Sequence, residues 1–479
     1  MNPSLALLIY ACGIAGLFYL DRDKTLRTSK ALWLPIIWLG ITGSRPVTGW
    51  FGVTSEGVNV QLEGSPMDAA LFGLLSISAI AVVMGRSRRT RALLVANWPT
   101  LLYFSYCLVS VSWSYHPDVA LKRWVKSIGD LAMVLVVVTD PRPLAAIQRL
   151  ISRVGFVLLP TSVLLIKYFG DIGRGYTPSG GTMNTGVSTD KNMLGVLLLV
   201  ISLGTLRRLV TLVRDKGLTA RRRHLLAQGT LLAFGISLLM MANSQTSLAC
   251  FILGGGLILA TELRLMRSRI ARVHALCLTV VLCGASMLYA GQTEVAHALG
   301  RQGTLSGRTE IWAALLPAVS NPILGSGFES FWISPDVVKF QQALVGWWHP
   351  EYLNEAHNGY IEVYLNLGCV GVCLILVILI RGYFCAVKAF RLNPSLGSLT
   401  LAYIIASVAY SFTEAGFRML DPIWFFLLLA IFSSAGVVAG FFRGESLKIG
   451  NSPGGTSKRV SASDQLIAAR ESICVASVQ

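Results

Sequence analysis

The segment His357–Ile380 reads HNGYIEVYLNLGCVGVCLILVILI. Its first half is polar and aromatic. From Gly368 onward no charge interrupts an apolar run, so the chain passes here from a polar surface into a helix suited to a bilayer core. The rest of the sequence repeats this pattern. The 479 residues are 53% hydrophobic and only 14% charged, and the apolar residues come in blocks of roughly 16 to 21, enough to cross a bilayer as helices. About thirteen blocks are expected, beginning near Leu5, Leu32, Ala69, Trp98, Val125, Ser152, Met193, Leu225, Leu248, Val273, Gly368, Leu399 and Pro422. The second and fifth are short or interrupted. The fold class read from this pattern is an all-α polytopic membrane protein of about 12–13 transmembrane helices.

Charge sets the expected orientation, because lysine and arginine near helix ends concentrate on the cytoplasmic side. Alternate connections carry Arg22/Lys24/Arg27/Lys30, Arg86/Arg88/Arg89/Arg91, Arg142/Arg149/Arg153, the run from Arg207 to Arg223, Arg264/Arg267/Arg269/Arg272, and Arg381/Lys388/Arg391. These read as inner loops. The cation-poor connections then face outward, including residues 170–192, 244–247 and 291–366. The expected organisation is transmembrane helices 1–10 over residues 1–290, a partly helical periplasmic loop over 291–366, helices 11–13 over 367–442 and a Ser/Gly-rich cytoplasmic tail over 443–479. The net charge of +17 is a topology signal on this reading, and nucleic acid is not an expected partner.

Several patterns are missing. The first apolar block lacks a cationic leader and a small-residue cleavage site, so it reads as a retained helix. Eight of the nine cysteines lie in or beside apolar blocks, and without a CxxC pair they frame neither disulfides nor a zinc site. There is no phosphate-binding glycine loop, dinucleotide fingerprint or HExxH motif, and no cofactor or metal is expected.

The connection of about 75 residues before the eleventh block is long for a membrane protein, which marks it for a task of its own. Within it, GRTEIWAALLPAV spaces Ile311, Trp312, Leu315, Leu316 and Val319 as on a helix lying along the membrane surface. Arg308 opens that helix and Arg301 precedes it. A guanidinium beside helix amides is a natural receptor for phosphate, and pairing with Glu310 or with headgroups is the alternative. Trp347, Trp348, Tyr352, Tyr360 and Tyr364 suit either an interfacial belt or stacking on sugars.

His357 is expected in the first turn of the next helix, with Asn354 as its N-cap. A helix N-terminus disfavours a second positive charge, so the imidazole should be neutral and able to accept a proton; a structural histidine is the bland alternative. Glu362 should project elsewhere. Four more outer cations, Arg174 in GRGY, Lys191 in DKN and the pair Lys122/Arg123, are candidate anion ligands. The polar turn Asn243–Ser247 must line a cavity or bond to itself.

The pattern His357-Asn358, nine residues, Gly368, two residues, Gly371 resembles the signature of the O-antigen ligase and polysaccharide polymerase family. Gly307-Arg308 with Trp312, the turn Pro322 to Gly327, and Lys191-Asn192 with Leu194-Gly195 resemble its other elements. The resemblance implies a membrane glycosyltransferase of the helical GT-C type in a bacterial inner membrane, with a cytoplasmic C-terminus. It would move a glycan from undecaprenyl pyrophosphate to an acceptor at the periplasmic face without a metal. By that analogy His357 activates the acceptor hydroxyl, while Arg308 and a second cation, from among Arg301, Arg174, Lys191 and Arg123, hold the leaving pyrophosphate. Asn358 and Tyr360 complete the expected substrate-binding set. The early SRP and WFG elements resemble exopolysaccharide polymerases. Repeat-unit polymerisation is therefore the first expectation, with chain-length regulators and export proteins as partners beside the lipid-linked oligosaccharide and membrane lipids. Ligation to a lipid A core, transport, and a non-catalytic scaffold are the alternatives.

Overall fold

The computed structural model of the chain describes residues 3–23, 27–52, 65–176, 180–214, 221–290, 306–344 and 353–442. The expected tail, Arg301, Trp347, Trp348 and Tyr352 fall outside the described residues. Among the helices of the described residues are α1 (Pro3–Leu20), α2 (Trp33–Thr42), α3 (Pro66–Gly85), α4 (Ser87–Ala96), α5 (Trp98–Ser110), α6 (Pro117–Val138), α7 (Pro143–Tyr168) and α8 (Lys191–Arg214). They continue with α9 (Arg221–Ala242), α10 (Gln245–Ala260), α11 (Ile270–Ala290), α12 (Ser306–Ala318), α13 (Asp336–Ala343), α14 (Gly359–Leu392), α15 (Pro394–Tyr410) and α16 (Pro422–Val438). The protein is an all-α polytopic membrane protein. Each of the apolar blocks read from the sequence falls on one of these helices. Five of them, α3, α7, α8, α9 and α14, are each long and apolar enough to cross a bilayer, and α4 with α5 form a further pair bent by 88°. Six more helices are apolar but shorter.

Burial follows composition. α16 and the middle of α8 carry uninterrupted apolar runs and are buried all round, as helices enclosed by other helices must be. α16 packs against α14, α15, α6 and α8. The outer helices α1 and α3 turn Leu8, Ile9, Leu74 and Ile77 outward, where lipid tails replace protein as the apolar surroundings.

The connections sort to two ends. Arg208 pairs with Asp21, Arg149 donates to Thr28, Arg86 to Thr139, Arg207 to Glu262 and Ser395, and Arg381 to the Ala96 carbonyl. The arginine-rich connections therefore meet at one end of the bundle. The cation-poor connections meet at the other, where Arg45 donates to the Ser188 carbonyl, Thr246 bonds Thr413, and Ser114 bonds Ser330.

Within the outward connection that follows α7, β1 (Arg174–Tyr176) pairs antiparallel with β2 (Thr182–Asn184). Lys122 and Arg123 stand in the continuous helix α6. The α12 helix buries Ile311, Leu315 and Ala318 in a small second core with Phe331, Phe340 and Leu365 instead of leaving that face to a membrane surface.

α14 explains two sequence motifs at once. Its helical run is broken at Gly368, where φ is 62° and ψ is −164°. There the freed amides of Cys369 and Val370 donate to the carbonyls of Pro322 and Ile323, while Ser326 and Gly327 donate to Leu365 and Asn366. The turn Asn321–Gly327 is thus docked into the break, and Tyr106 clasps both partners by bonding the carbonyls of Leu324 and Leu367. A Cβ at Gly368 would stand 2.2 Å from the Ile323 oxygen, and one at Gly325 would stand 2.5 Å from the Asn366 backbone. Only glycine permits this approach.

Candidate active site

The site forms where the start of α14 meets the loop between α15 and α16. Asn358, not Asn354, is the N-cap: its Oδ1 accepts from the amides of Tyr360 and Ile361, and its Nδ2 donates to the Phe412 carbonyl at 3.1 Å. The Gly359 amide donates to Ser411 at 2.8 Å. These bonds join two segments far apart in sequence and leave His357 just outside the helix, in the left-handed region with φ at 46°. A non-glycine residue there is strained and needs neighbours to hold it. Trp312 supplies one such tie by donating to the Ala356 carbonyl at 2.8 Å. Glu362 supplies another. It turns inward, accepting from the Ala356 amide at 2.9 Å and from Trp332 at 2.8 Å.

The imidazole Nδ1 lies 2.6 Å from Glu355 Oε1 and 3.4 Å from Glu414 Oε2. Glu414 in turn receives Arg308 at 3.1 Å on Oε1 and Asn192 at 3.3 Å on Oε2. Arg308 also donates to the Thr413 carbonyl. On the other flank, Arg418 stands 3.8 Å from Glu355 and 3.4 Å from Glu329. The result is a row of alternating charge: Arg308, Glu414, His357, Glu355, Arg418, Glu329.

This row corrects the expected protonation state. Burial alone would favour a neutral ring, but the hydrogen bonds and negative charges of Glu355 and Glu414 outweigh it and raise the His357 pKa to about 9. The helix N-terminus, one residue on, is the weaker influence. Burial raises the Glu355 pKa, yet the His357 hydrogen bond and the charges of His357, Arg418 and Arg308 hold this carboxylate below its ordinary value. At rest His357 is an imidazolium between two carboxylates.

The structure brings His357, Asn358 and Arg308 together around Glu414 and the loop that carries it, and does not do so for the other candidates. Arg174 is exposed on β1 and caps the Ile166 carbonyl at 3.0 Å. Arg123 donates to the Glu329 backbone, which places it beside the row as a support. Lys191 opens α8, but its neighbours Asp190 and Asn192 are the ones that face the cavity. Tyr360 packs its ring against Phe412 and Phe417 at 5.2 Å and donates to the Val408 carbonyl, so it braces α14 on α15 instead of offering a sugar-stacking face. The turn Asn243–Ser247 bonds partly to itself, Ser244 to Ser247 at 3.1 Å, and partly to the site loop through Thr246.

Arg418 and Glu414 went unread from sequence. They stand in the short loop TEAGFR between two apolar helices, where neither spacing nor composition singles them out. A cavity of about 320 Å³ opens beside them, lined by Asp190, Asn192, Glu355, Glu414, Arg418 and Asp421 on its polar side and by Ile41, Phe72 and Met193 among its apolar wall. Glu355, His357 and Glu414 bring ligand-capable atoms within 4.8 Å of one another, the spacing of a metal-binding trio. Each carboxylate already faces a cation, so the trio is charge-balanced without an ion. In chemical terms the arrangement offers a proton acceptor at Nε2 once the ring has lost its proton, carboxylates to steady the imidazolium formed on accepting one, and two guanidinium groups for an anionic leaving group.

Residues 230–376 match the family model described as O-Antigen ligase. That interval contains His357-Asn358, Gly307-Arg308 and the turn at Asn321–Gly327; Glu414 and Arg418 lie beyond it. The chain is also similar to the exopolysaccharide production protein ExoQ of Rhizobium meliloti (strain 1021). The two are 25% identical over 294 residues, which span 59% of this chain and 63% of that protein. The chain thus matches somewhat under two thirds of its relative's length.

Proposed function

Since the chain belongs to the O-antigen ligase and polysaccharide polymerase family of membrane proteins, we propose that it polymerises oligosaccharide repeat units carried on undecaprenyl pyrophosphate. The row of alternating charge beside the cavity carries this reading. On this reading the basic end of the bundle faces the cytoplasm, as the positive-inside rule favours, with the cavity at the periplasmic face and the C-terminus inside.

The acceptor hydroxyl gives its proton to Nε2 of neutral His357 while its oxygen bonds to the anomeric carbon of the donor glycan. The bond between that carbon and the pyrophosphate oxygen breaks, and the electron pair leaves with the lipid pyrophosphate. Arg308 and Arg418 hold the charge that develops there. Glu355 keeps the ring oriented through Nδ1 and stabilises the imidazolium, as a carboxylate does behind a catalytic histidine. Neither a nucleotide sugar nor a metal is required. The apolar wall at Ile41, Phe72 and Met193 takes the side nearest the polyprenyl chain.

Polymerisation is favoured over ligation because the named relative is an exopolysaccharide production protein. The deciding experiment reconstitutes the purified chain with a lipid-linked oligosaccharide, alone or with lipid A core. A ladder of longer lipid-linked glycans without the core supports a polymerase. Product formed only on the core replaces that reading with a ligase, and no product with either removes both.

A further inference from the structure

We infer that α4 and the cavity at its start form a binding site for an anionic phospholipid headgroup, at the end of the bundle opposite the cavity that Glu355, Glu414 and Arg418 line. α4 is a ten-residue helix that runs at 88° to the span following it. A helix so turned beside a spanning helix lies along the membrane surface, with one face to the protein and one to the headgroups. Thr90 and Leu93 are its buried residues, and Arg88, Arg91 and Val95 share the opposite, exposed face. The polar half of that face is basic and the other half is apolar. Val95 is 54% exposed and Trp98, just past the helix, is 49% exposed.

The far end is fastened. Arg381 stacks 5.8 Å over the Trp98 ring and donates to the Ala96 carbonyl at 3.1 Å. At the near end a cavity of about 450 Å³ is lined by Arg86, Ser87, Arg88, Arg89, Thr139 and Pro141. Among the described residues no carboxylate lines it. The adjacent Asp140 carboxylate accepts from the amides of Ser29 and Arg142 and lends its charge to Arg86, while its backbone carbonyl accepts from Arg89 at 3.3 Å. Arg86 is pinned by its bonds to the Val136 carbonyl at 2.9 Å and to Thr139 at 3.3 Å, so its guanidinium is a fixed wall of the cavity. Fixed and exposed guanidinium groups that outnumber the one nearby carboxylate, beside an interfacial apolar strip, suit a phosphate whose acyl chains continue along Val95 and Trp98.

The test uses the full chain in nanodiscs of phosphatidylcholine with or without cardiolipin, reading the cardiolipin-dependent rise in melting temperature and the lipid retained in native mass spectrometry. Replacing the exposed arginines together, Arg88→Gln/Arg89→Gln/Arg91→Gln, should abolish most of the rise and weaken retention at least about tenfold. Melting in phosphatidylcholine alone should stay unchanged, which shows that the variant is folded. The control Arg222→Gln/Arg223→Gln/Arg269→Gln removes the same charge elsewhere at this end and should keep the effect. The inference is overturned if the α4 variant retains cardiolipin like wild type, if the control loses as much, or if inorganic phosphate alone reproduces the rise.

Discussion

His357 and Glu414 stand 57 residues apart in the chain, yet the Nδ1 of one lies 3.4 Å from the Oε2 of the other. The same carboxylate holds Arg308 on its second oxygen, so the imidazole and the guanidinium are placed by one side chain. Their mutual position is a property of the loop between α15 and α16, which reaches across to the start of α14.

With the His357 pKa raised to about 9, the neutral base is about one hundredth of the population at pH 7. The kcat/KM should therefore climb about tenfold per pH unit until it levels near pH 9. Stability runs the other way. A histidine whose pKa is raised on folding contributes fully below its ordinary value, about 6.5, and loses that contribution as pH rises through about 9. Melting temperature should fall over the window in which activity rises, and His357→Gln should flatten the stability slope.

Glu414→Gln removes one of the two negative charges at Nδ1. The rising limb of the pH–rate profile should move to lower pH by about one unit, with a loss of maximal rate because Arg308 loses its anchor. An unshifted limb would mean that Glu414 does not act through the imidazole.

Arg418→Ala should lower kcat/KM by about a hundredfold, the cost of one lost donor to a developing anion. Arg418→Lys keeps the charge without the planar fork and should recover only part of it. Binding of a pyrophosphate-bearing lipid, measured by isothermal titration in detergent, should weaken in the same order.

Gly368→Ala forces a Cβ against the Ile323 oxygen at a residue with φ of 62°. A loss on the order of 2–4 kcal/mol is expected, read as a drop in melting temperature and in detergent-extracted yield. Gly13→Ala, where nothing approaches within 4 Å, should be near neutral.

Chelation tests the trio of Glu355, His357 and Glu414. Each carboxylate there already faces a cation, so excess EDTA should leave turnover unchanged. Restoration of lost activity by an added divalent ion would show that these side chains serve as ligands.

Much of the helical architecture was legible because bilayer thickness imposes long apolar blocks that no other context requires. His357, Asn358 and Arg308 stood out because each lies in a motif that resembles the family pattern, although the sequence puts the cap at Asn354 and it belongs to Asn358. Arg418 and Glu414 did not. Their roles come from packing of α15 and α16 against α14, and a polar loop between two apolar helices looks alike whether it faces water or a reaction centre. The charge on His357 was misread for a related reason: the helix end is visible in sequence, whereas the second carboxylate arrives from another segment. Tyr360 was misread because an aromatic at an interface has the same signature whether its ring is free or packed.

The most direct measurement is chain extension of a lipid-linked oligosaccharide by purified, reconstituted wild type, His357→Ala and Arg308→Ala, all at pH 9, with folding checked by melting temperature. If His357 takes the acceptor proton and Arg308 holds the pyrophosphate, a glycan ladder grows with wild type and neither folded variant forms it. A ladder of equal rate and length from His357→Ala contradicts the assignment.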